Sequence, residues 1–101
     1  MNRRLNLDDA TLAEFCQRHH IRRLALFGSM LKGTERPDSD VDLLVEFLPE
    51  AQTTLLDMAQ IEIELSELLG GRKVDLRTAQ DLSRHFRDEV VRTAEPQYVA
   101  G

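Results

Sequence analysis

The chain has 101 residues, a formal net charge of −5 and 31% charged residues. A chain of this length buries about two-thirds of its unfolded surface, so we predict a single domain over residues 1–101. The acidic balance argues against a protein that mainly grips nucleic acid, because that affinity comes from Lys and Arg on phosphates. Cys16 is the only cysteine, which excludes an intrachain disulfide and a thiolate metal cluster. No stretch approaches the ~20 apolar residues of a membrane span, and we expect a cytoplasmic protein.

The hydrophobic pattern predicts elements in the order helix, strand, helical turn, strand, helix, strand, helix. Their predicted bounds are 7 to 19, 21 to 27, 29 to 32, 40 to 47, 53 to 69, 72 to 77 and 78 to 94. The first strand is apolar on both faces, which predicts burial on both sides. Pro96 is expected to end the last helix, with residues 97 to 101 as an added strand or docking segment. This order yields an α/β or α+β domain, a small mixed sheet of three or more strands packed with about four helices.

The helix predicted over 53 to 69 carries a wide apolar stripe. Its main positions are Leu55, Met58, Ile61, Leu65 and Leu68, with Leu56, Ala59, Ile63 and Leu69 beside them. We assign this stripe to the core rather than to a partner groove. Its width nevertheless leaves a subunit contact, and so a homo- or hetero-oligomer, open.

The chain is organised around a Gly28-Ser29 pair followed, after ten residues, by Asp40-Val41-Asp42. Asp40 and Asp42 alternate with apolar residues, so both project from one face of a strand. Such neighbouring carboxylates repel unless a cation compensates them, and Mg²⁺ commonly takes carboxylates together with substrate phosphates. Gly28 allows close backbone approach, and Ser29 can cap a helix whose free N–H groups face an anion. Either motif alone is more often a turn or a solvated loop edge.

A third acid stands on the last predicted strand, where Asp75 lies between Val74 and Leu76. Alternation places Asp75 on the face opposite these apolar residues, together with Lys73 and Arg77. From the alternation alone, a solvated charge ladder is the favoured interpretation.

The segments Leu26 to Ser29 and Arg36 to Val45 resemble the minimal nucleotidyltransferase (MNT) domain of the DNA polymerase beta-like superfamily, whose signature is Gly-Ser, ten residues and Asp-x-Asp. The resemblance spans about Thr11 to Ala94 and implies the nucleotidyltransferase fold. It also implies Mg²⁺-dependent transfer of a nucleotidyl group, AMP from ATP, to a hydroxyl with release of pyrophosphate.

The resemblance also implies a role for each site residue. Asp40 and Asp42 would hold two Mg²⁺ ions, and Asp75 would complete the second metal site and help take the proton. Gly28 and Ser29 would seat the β- and γ-phosphates of ATP. Lys32 stands where many members of the family have an arginine that meets the triphosphate. Lysine keeps the positive charge but lacks the planar guanidinium that can bind a phosphate through two parallel hydrogen bonds.

Larger relatives append a domain that binds the acceptor, and this chain ends before one could begin. We therefore expect the acceptor surface to come from another polypeptide or a second copy. The resemblance suggests a helical HEPN toxin that is modified on a tyrosine hydroxyl, with the MNT protein as antitoxin. One alternative is a binding module that neutralises its partner by contact alone. A weaker alternative is a nucleotidyltransferase acting on a small molecule such as an antibiotic.

Overall fold

Four strands form one sheet in the computed structural model, which describes residues 7–28, 41–85 and 87–100. The strands are β1 (Ile21–Phe27), β2 (Val41–Phe47), β3 (Val74–Arg77) and β4 (Glu95–Val99). Their order is β3-β2-β1-β4; β2 and β3 are parallel, and the other two pairs are antiparallel. The helices of the described part are α1 (Asp9–Arg18), α2 (Leu55–Leu68) and α3 (Arg87–Thr93), with a 3-10 turn at Ala79–Asp81. The predicted α/β fold with a small mixed sheet is confirmed, while the turn predicted over 29 to 32 lies outside the described residues.

Side chains from both faces of the sheet are buried. On one face, Leu24, Leu26 and alternate residues of β2 and β3 (Val41, Leu43, Val45, Val74 and Leu76) pack with α1 and α2 in the main core. On the opposite face, Ala25 and Leu44 pack with Leu82, Val90, Val91 and Ala94. The expectation that β1 is buried on both sides is therefore confirmed.

The only cysteine belongs to the main core. Cys16 is fully buried in α1, and this burial raises the pKa of its thiol to about 12. A thiol with so high a pKa stays protonated at neutral pH and is a poor nucleophile. Cys16 therefore acts as a small core residue, as its position on the apolar side of the helix predicts.

The prediction of one continuous helix over 78 to 94 is wrong. The chain makes a 3-10 turn, becomes extended at Leu82 (φ −84°, ψ 147°) and is helical again over Arg87–Thr93. The break lets Leu82 turn into the sheet, where its side chain is buried beside Leu44. The Arg87 guanidinium donates to the carbonyl of Leu82 at 3.1 Å, which satisfies a backbone group that the break leaves without a helical partner.

The C-terminal segment forms the edge strand β4. It pairs with β1, with Leu24 opposite Tyr98, and Tyr98 packs against the main core. Pro96 thus lies inside a strand rather than simply ending the helix. Because β4 is at the edge of the sheet, the N–H that proline lacks is not needed by a further strand. Of the two predicted roles for this tail, an added strand is the one that the structure shows.

The assignment of the α2 stripe to the core is only partly correct. Ile61 and Leu65 are buried, but the exposed fraction is 88% for Leu55, 83% for Leu56 and 54% for Ile63. A helix that packs on one sheet face buries a limited stripe of its surface, and these residues lie outside it. No helix in the described ranges has the length and apolar character needed to cross a bilayer.

The two sides of α2 predict different responses to truncation. Leu65→Ala should lower the free energy of unfolding by about 2–5 kcal/mol, because it leaves a cavity in the core. Leu56→Ala, at an exposed position of the same helix, should change it by less than about 1 kcal/mol. Urea unfolding followed by circular dichroism measures both values, and similar losses for the two variants would contradict the packing described here.

Candidate active site

Gly28 and Asp42 approach closely where β1 ends. Phe27 is the register partner of Asp42, so the next residue, Gly28, runs directly beside the Asp42 side chain. Gly28 has a φ of +83°, a conformation that favours glycine, and a Cβ on it would overlap Oδ2 of Asp42. Glycine at this position thus allows the turn out of β1 and leaves room for the Asp42 carboxylate.

Asp42 and Asp75 are register partners on neighbouring parallel strands. Each is half-buried and is flanked along its strand by residues of the main core, so both carboxylates project from the opposite face of the sheet. Gly28, directly after β1, therefore forms a row with Asp42 of β2 and Asp75 of β3. The other predicted site residues, Ser29, Lys32 and Asp40, lie outside the described residues; Asp40 immediately precedes β2 in the chain.

The positive charge beside this row comes from Arg77. Its Nε lies 3.0 Å from Oδ1 of Asp75 and its Nη2 lies 3.3 Å from Oδ2. The hydrogen bonds and charge of Asp75, followed by the charges of Asp81 and Asp42, raise the pKa of the Arg77 guanidinium above its usual value. The charge ladder expected from alternation is therefore present, and it forms part of the carboxylate row.

The sequence pattern alone gives Arg77 no role in the site. The available signal was its spacing from Asp75, since residues two apart on a strand share a face. That spacing does not by itself distinguish a guanidinium in the site from one that is only solvated.

A groove of about 590 Å³ opens between the edge strand β3 and the first half of α2. Among the described residues, the apolar lining is supplied by Phe47, Leu55, Met58, Ala59 and Leu76, and the charged lining by Glu62, Asp75, Arg77 and Asp81. Oε2 of Glu62 accepts the N–H of Leu76 at 3.2 Å, which satisfies a donor on the outer edge of β3. The groove thus places an apolar surface beside Asp75.

Hydrogen bonding keeps one groove carboxylate ionised. The backbone N–H and the hydroxyl of Thr78 donate to Oδ2 of Asp81 at 3.1 and 3.0 Å. These bonds, with the nearby charge of Arg77, lower the pKa of Asp81. Asp81 therefore carries a full negative charge at neutral pH.

The donor chemistry of the row suits a hard divalent cation. Within residues 7–28, 41–85 and 87–100, no group of three or more His, Cys, Asp or Glu side chains converges as a metal site. The described part supplies two adjacent carboxylates, Asp42 and Asp75, and oxygen donors of this kind are the ligands of Mg²⁺. A Mg²⁺ site is therefore compatible with these residues, in combination with further ligands.

Comparison with known proteins assigns the family. The pattern of the family "Polymerase beta, Nucleotidyltransferase" matches residues 10–98. The chain therefore belongs to this nucleotidyltransferase family, and it is an enzyme of that type, which uses a nucleoside triphosphate as donor. More narrowly, the chain is 38% identical over 79 residues to the protein adenylyltransferase MntA of Thermococcus cleftensis, covering 78% of this chain and 77% of that protein.

Solved structures agree with this assignment. A minimal nucleotidyltransferase is 38% identical, with a TM-score of 0.69, and the match covers 90% of this chain and 97% of that one. A toxin-antitoxin structure with AMP-PNP has a TM-score of 0.72 at 20% identity, covering 93% and 75% of the two chains. A tri-AMPylated Shewanella oneidensis HEPN toxin in complex with an MNT antitoxin has a TM-score of 0.63 at 17% identity, covering 91% and 70%. The last two likenesses are of fold.

The close approach of Gly28 to Asp42 predicts a specific cost of adding a methyl group. Gly28→Ala should lower the free energy of unfolding by about 1–3 kcal/mol more than Gly70→Ala, measured by urea denaturation. Gly70 is the matched control, because its φ of +76° is similar and a Cβ there would meet nothing within 4 Å. Equal losses for the two variants would show that backbone conformation alone, and not the Asp42 carboxylate, requires glycine at position 28.

Proposed function

We propose that the protein transfers AMP from ATP to a hydroxyl of a partner protein. The observation that carries this proposal is the row of Gly28, Asp42 and Asp75, in which two carboxylates stand side by side next to a backbone turn with no side chain in the way. The family match and the similarity to a protein adenylyltransferase support the same reaction. Because the reaction consumes ATP, we place it in the cytoplasm.

Each residue has a role in this proposal. Asp40, Asp42 and Asp75 would hold Mg²⁺, which when bound neutralises triphosphate charge and lowers the pKa of the attacking hydroxyl. Gly28 and Ser29 would seat the β- and γ-phosphates through backbone N–H and hydroxyl donors. Lys32 would add positive charge at the triphosphate.

The transfer step is a displacement at the α-phosphorus of ATP. The acceptor oxygen forms a bond to this phosphorus, the bond to the oxygen that bridges the α- and β-phosphates breaks, and pyrophosphate leaves. Asp75 lies on the edge strand beside the groove, where an acceptor could approach, and it would take the proton from the hydroxyl. Arg77 holds the Asp75 carboxylate by two hydrogen bonds, which fixes its orientation.

We further propose that the acceptor is a tyrosine of a helical HEPN toxin, so that the protein acts as an antitoxin. The support is the similarity to MntA and the fold shared with the MNT antitoxin that is complexed with an AMPylated HEPN toxin. Modification of such a partner would neutralise it covalently.

The proposal predicts that label transfer depends on the paired acids. With Mg²⁺, α-labelled ATP and a tyrosine-bearing HEPN protein, Asp40→Asn combined with Asp42→Asn should lower the rate of labelling by at least about 100-fold. Glu46→Gln is the matched control, because it neutralises an exposed carboxylate on the same face of β2 and should leave the rate unchanged. Labelling that survives the double variant would refute the mechanism.

A cellular experiment separates catalysis from neutralisation by contact. The folded Asp40→Asn and Asp42→Asn double variant is produced in cells together with the HEPN partner. Loss of protection, with binding to the partner retained, is the result that catalysis predicts. Full protection would show that the protein neutralises its partner by binding alone.

A further inference from the structure

The outward side of α2 carries an apolar stripe, defined as Leu55, Leu56, Ala59 and Ile63. At 100° per residue these four positions fall on one side of the helix, next to the side that packs on the sheet. The exposed fractions of 88%, 83% and 54% for the three large residues show that the described part of the chain leaves the stripe uncovered. Exposed apolar residues are ordinary when scattered, whereas a contiguous row of them marks an interaction surface.

The stripe is continuous with the candidate active site. Leu55 and Ala59 also line the groove, and Asp75 lies among the residues of the same groove. A protein segment that covers the stripe would therefore extend into the groove and bring a side chain to Asp75. Because the stripe leads to Asp75, it is better placed to bind the protein that is modified than a partner that takes no part in the reaction.

Charge indicates what kind of segment fits. Among the described residues, three carboxylates, Glu62, Asp75 and Asp81, line the groove together with one cation, Arg77, whose Nε and Nη2 already bond Asp75. The whole chain has a net charge of −5. A basic segment would be attracted to this surface, while a second copy would bring the same negative charges to a symmetric contact.

We propose that the apolar stripe and the groove bind the acceptor protein through a segment with apolar side chains flanked by Lys or Arg and carrying the hydroxyl that is modified. This proposal rests on the proposed function and adds the class of substrate. The apolar side chains would cover Leu55, Leu56 and Ile63, and the basic ones would meet Glu62 and Asp81. The hydroxyl would then lie at Asp75.

Synthetic tyrosine peptides test this specificity directly. Four compositions are compared, with apolar or polar residues around the tyrosine and with basic or acidic flanks. Binding is measured by fluorescence anisotropy without ATP, and labelling is measured with Mg²⁺ and α-labelled ATP. The wild-type protein should bind the apolar, basic peptide about tenfold more tightly than the other three, as burial of part of a leucine side chain and one or two charge pairs would give.

Two variants locate the binding surface. Leu55→Ser combined with Leu56→Ser should abolish the preference for apolar peptides, and a thermal melt should show an intact fold because both side chains are exposed. Val99→Ser is the control: Val99 is 60% exposed on β4, at the opposite edge of the sheet from β3, and its loss should not change binding.

The outcomes separate this inference from the proposed function. Equal binding of the four peptides, or an unchanged preference in the Leu55→Ser and Leu56→Ser variant, would overturn the inference. Sedimentation that shows a wild-type dimer, converted to a monomer in this variant, would also overturn it, because the stripe would then be a contact between two copies. Selective binding without label transfer would instead count against AMP transfer and leave the docking surface standing. Label transfer without selectivity would count against the docking surface alone.

Discussion

The parallel pairing of β2 with β3 is the constraint on which the candidate site depends, because it sets the Asp42 and Asp75 carboxylates side by side. Parallel neighbours need a crossover connection, and here that connection contains α2. Ile61 and Leu65 of α2 pack in the same core as Val74 and Leu76 of β3. The packing of one helix thus holds the strand that carries Asp75 in register with the strand that carries Asp42.

Placing two acids next to each other opposes folding, since each carboxylate raises the electrostatic cost of ionising the other. Arg77 offsets part of this cost through its two hydrogen bonds to Asp75 and its proximity to Asp42. Because Asp75 and Arg77 are both partly exposed, the pair contributes only modestly to the free energy of folding. The register of the acids is therefore maintained by the apolar core on the other face of the sheet, and Arg77 mainly orients one of them.

Much of the fold follows from local pattern. The bounds of β1 match the predicted 21 to 27, and β2, β3, α1 and α2 differ from their predicted bounds only at their ends, because alternation and helical periodicity are properties of short stretches. The break at Leu82 does not follow from periodicity. Leu82 has helical spacing with Phe86 and Val90, yet it is buried through an extended backbone because the second face of the sheet requires cover there.

The candidate site shows the same limit. Spacing indicates that Asp40 and Asp42 share a strand face, but the pairing of Asp42 with Asp75 depends on a parallel register that periodicity cannot supply. Likewise, the sequence predicts that Gly28 ends a strand, but it does not predict that Gly28 lies close to the Asp42 carboxylate. That closeness arises only when β1 and β2 pair. The exposure of Leu55 and Leu56 could not be predicted either, because the apolar pattern of a helix does not reveal which part of it a sheet will cover.

The helix α2 therefore has two apolar sides with different consequences. Its buried side, with Ile61 and Leu65, packs with the strand that carries Asp75, and its exposed side, with Leu55 and Leu56, is left largely uncovered by the described part of the chain. Two large apolar side chains that stay in water add almost no burial free energy to the fold, and local helix propensity does not require them, since Glu, Lys or Gln would serve a helix equally well there. An acceptor that covers the exposed side would gain this burial free energy next to Asp75, which would link recognition and chemistry through one helix.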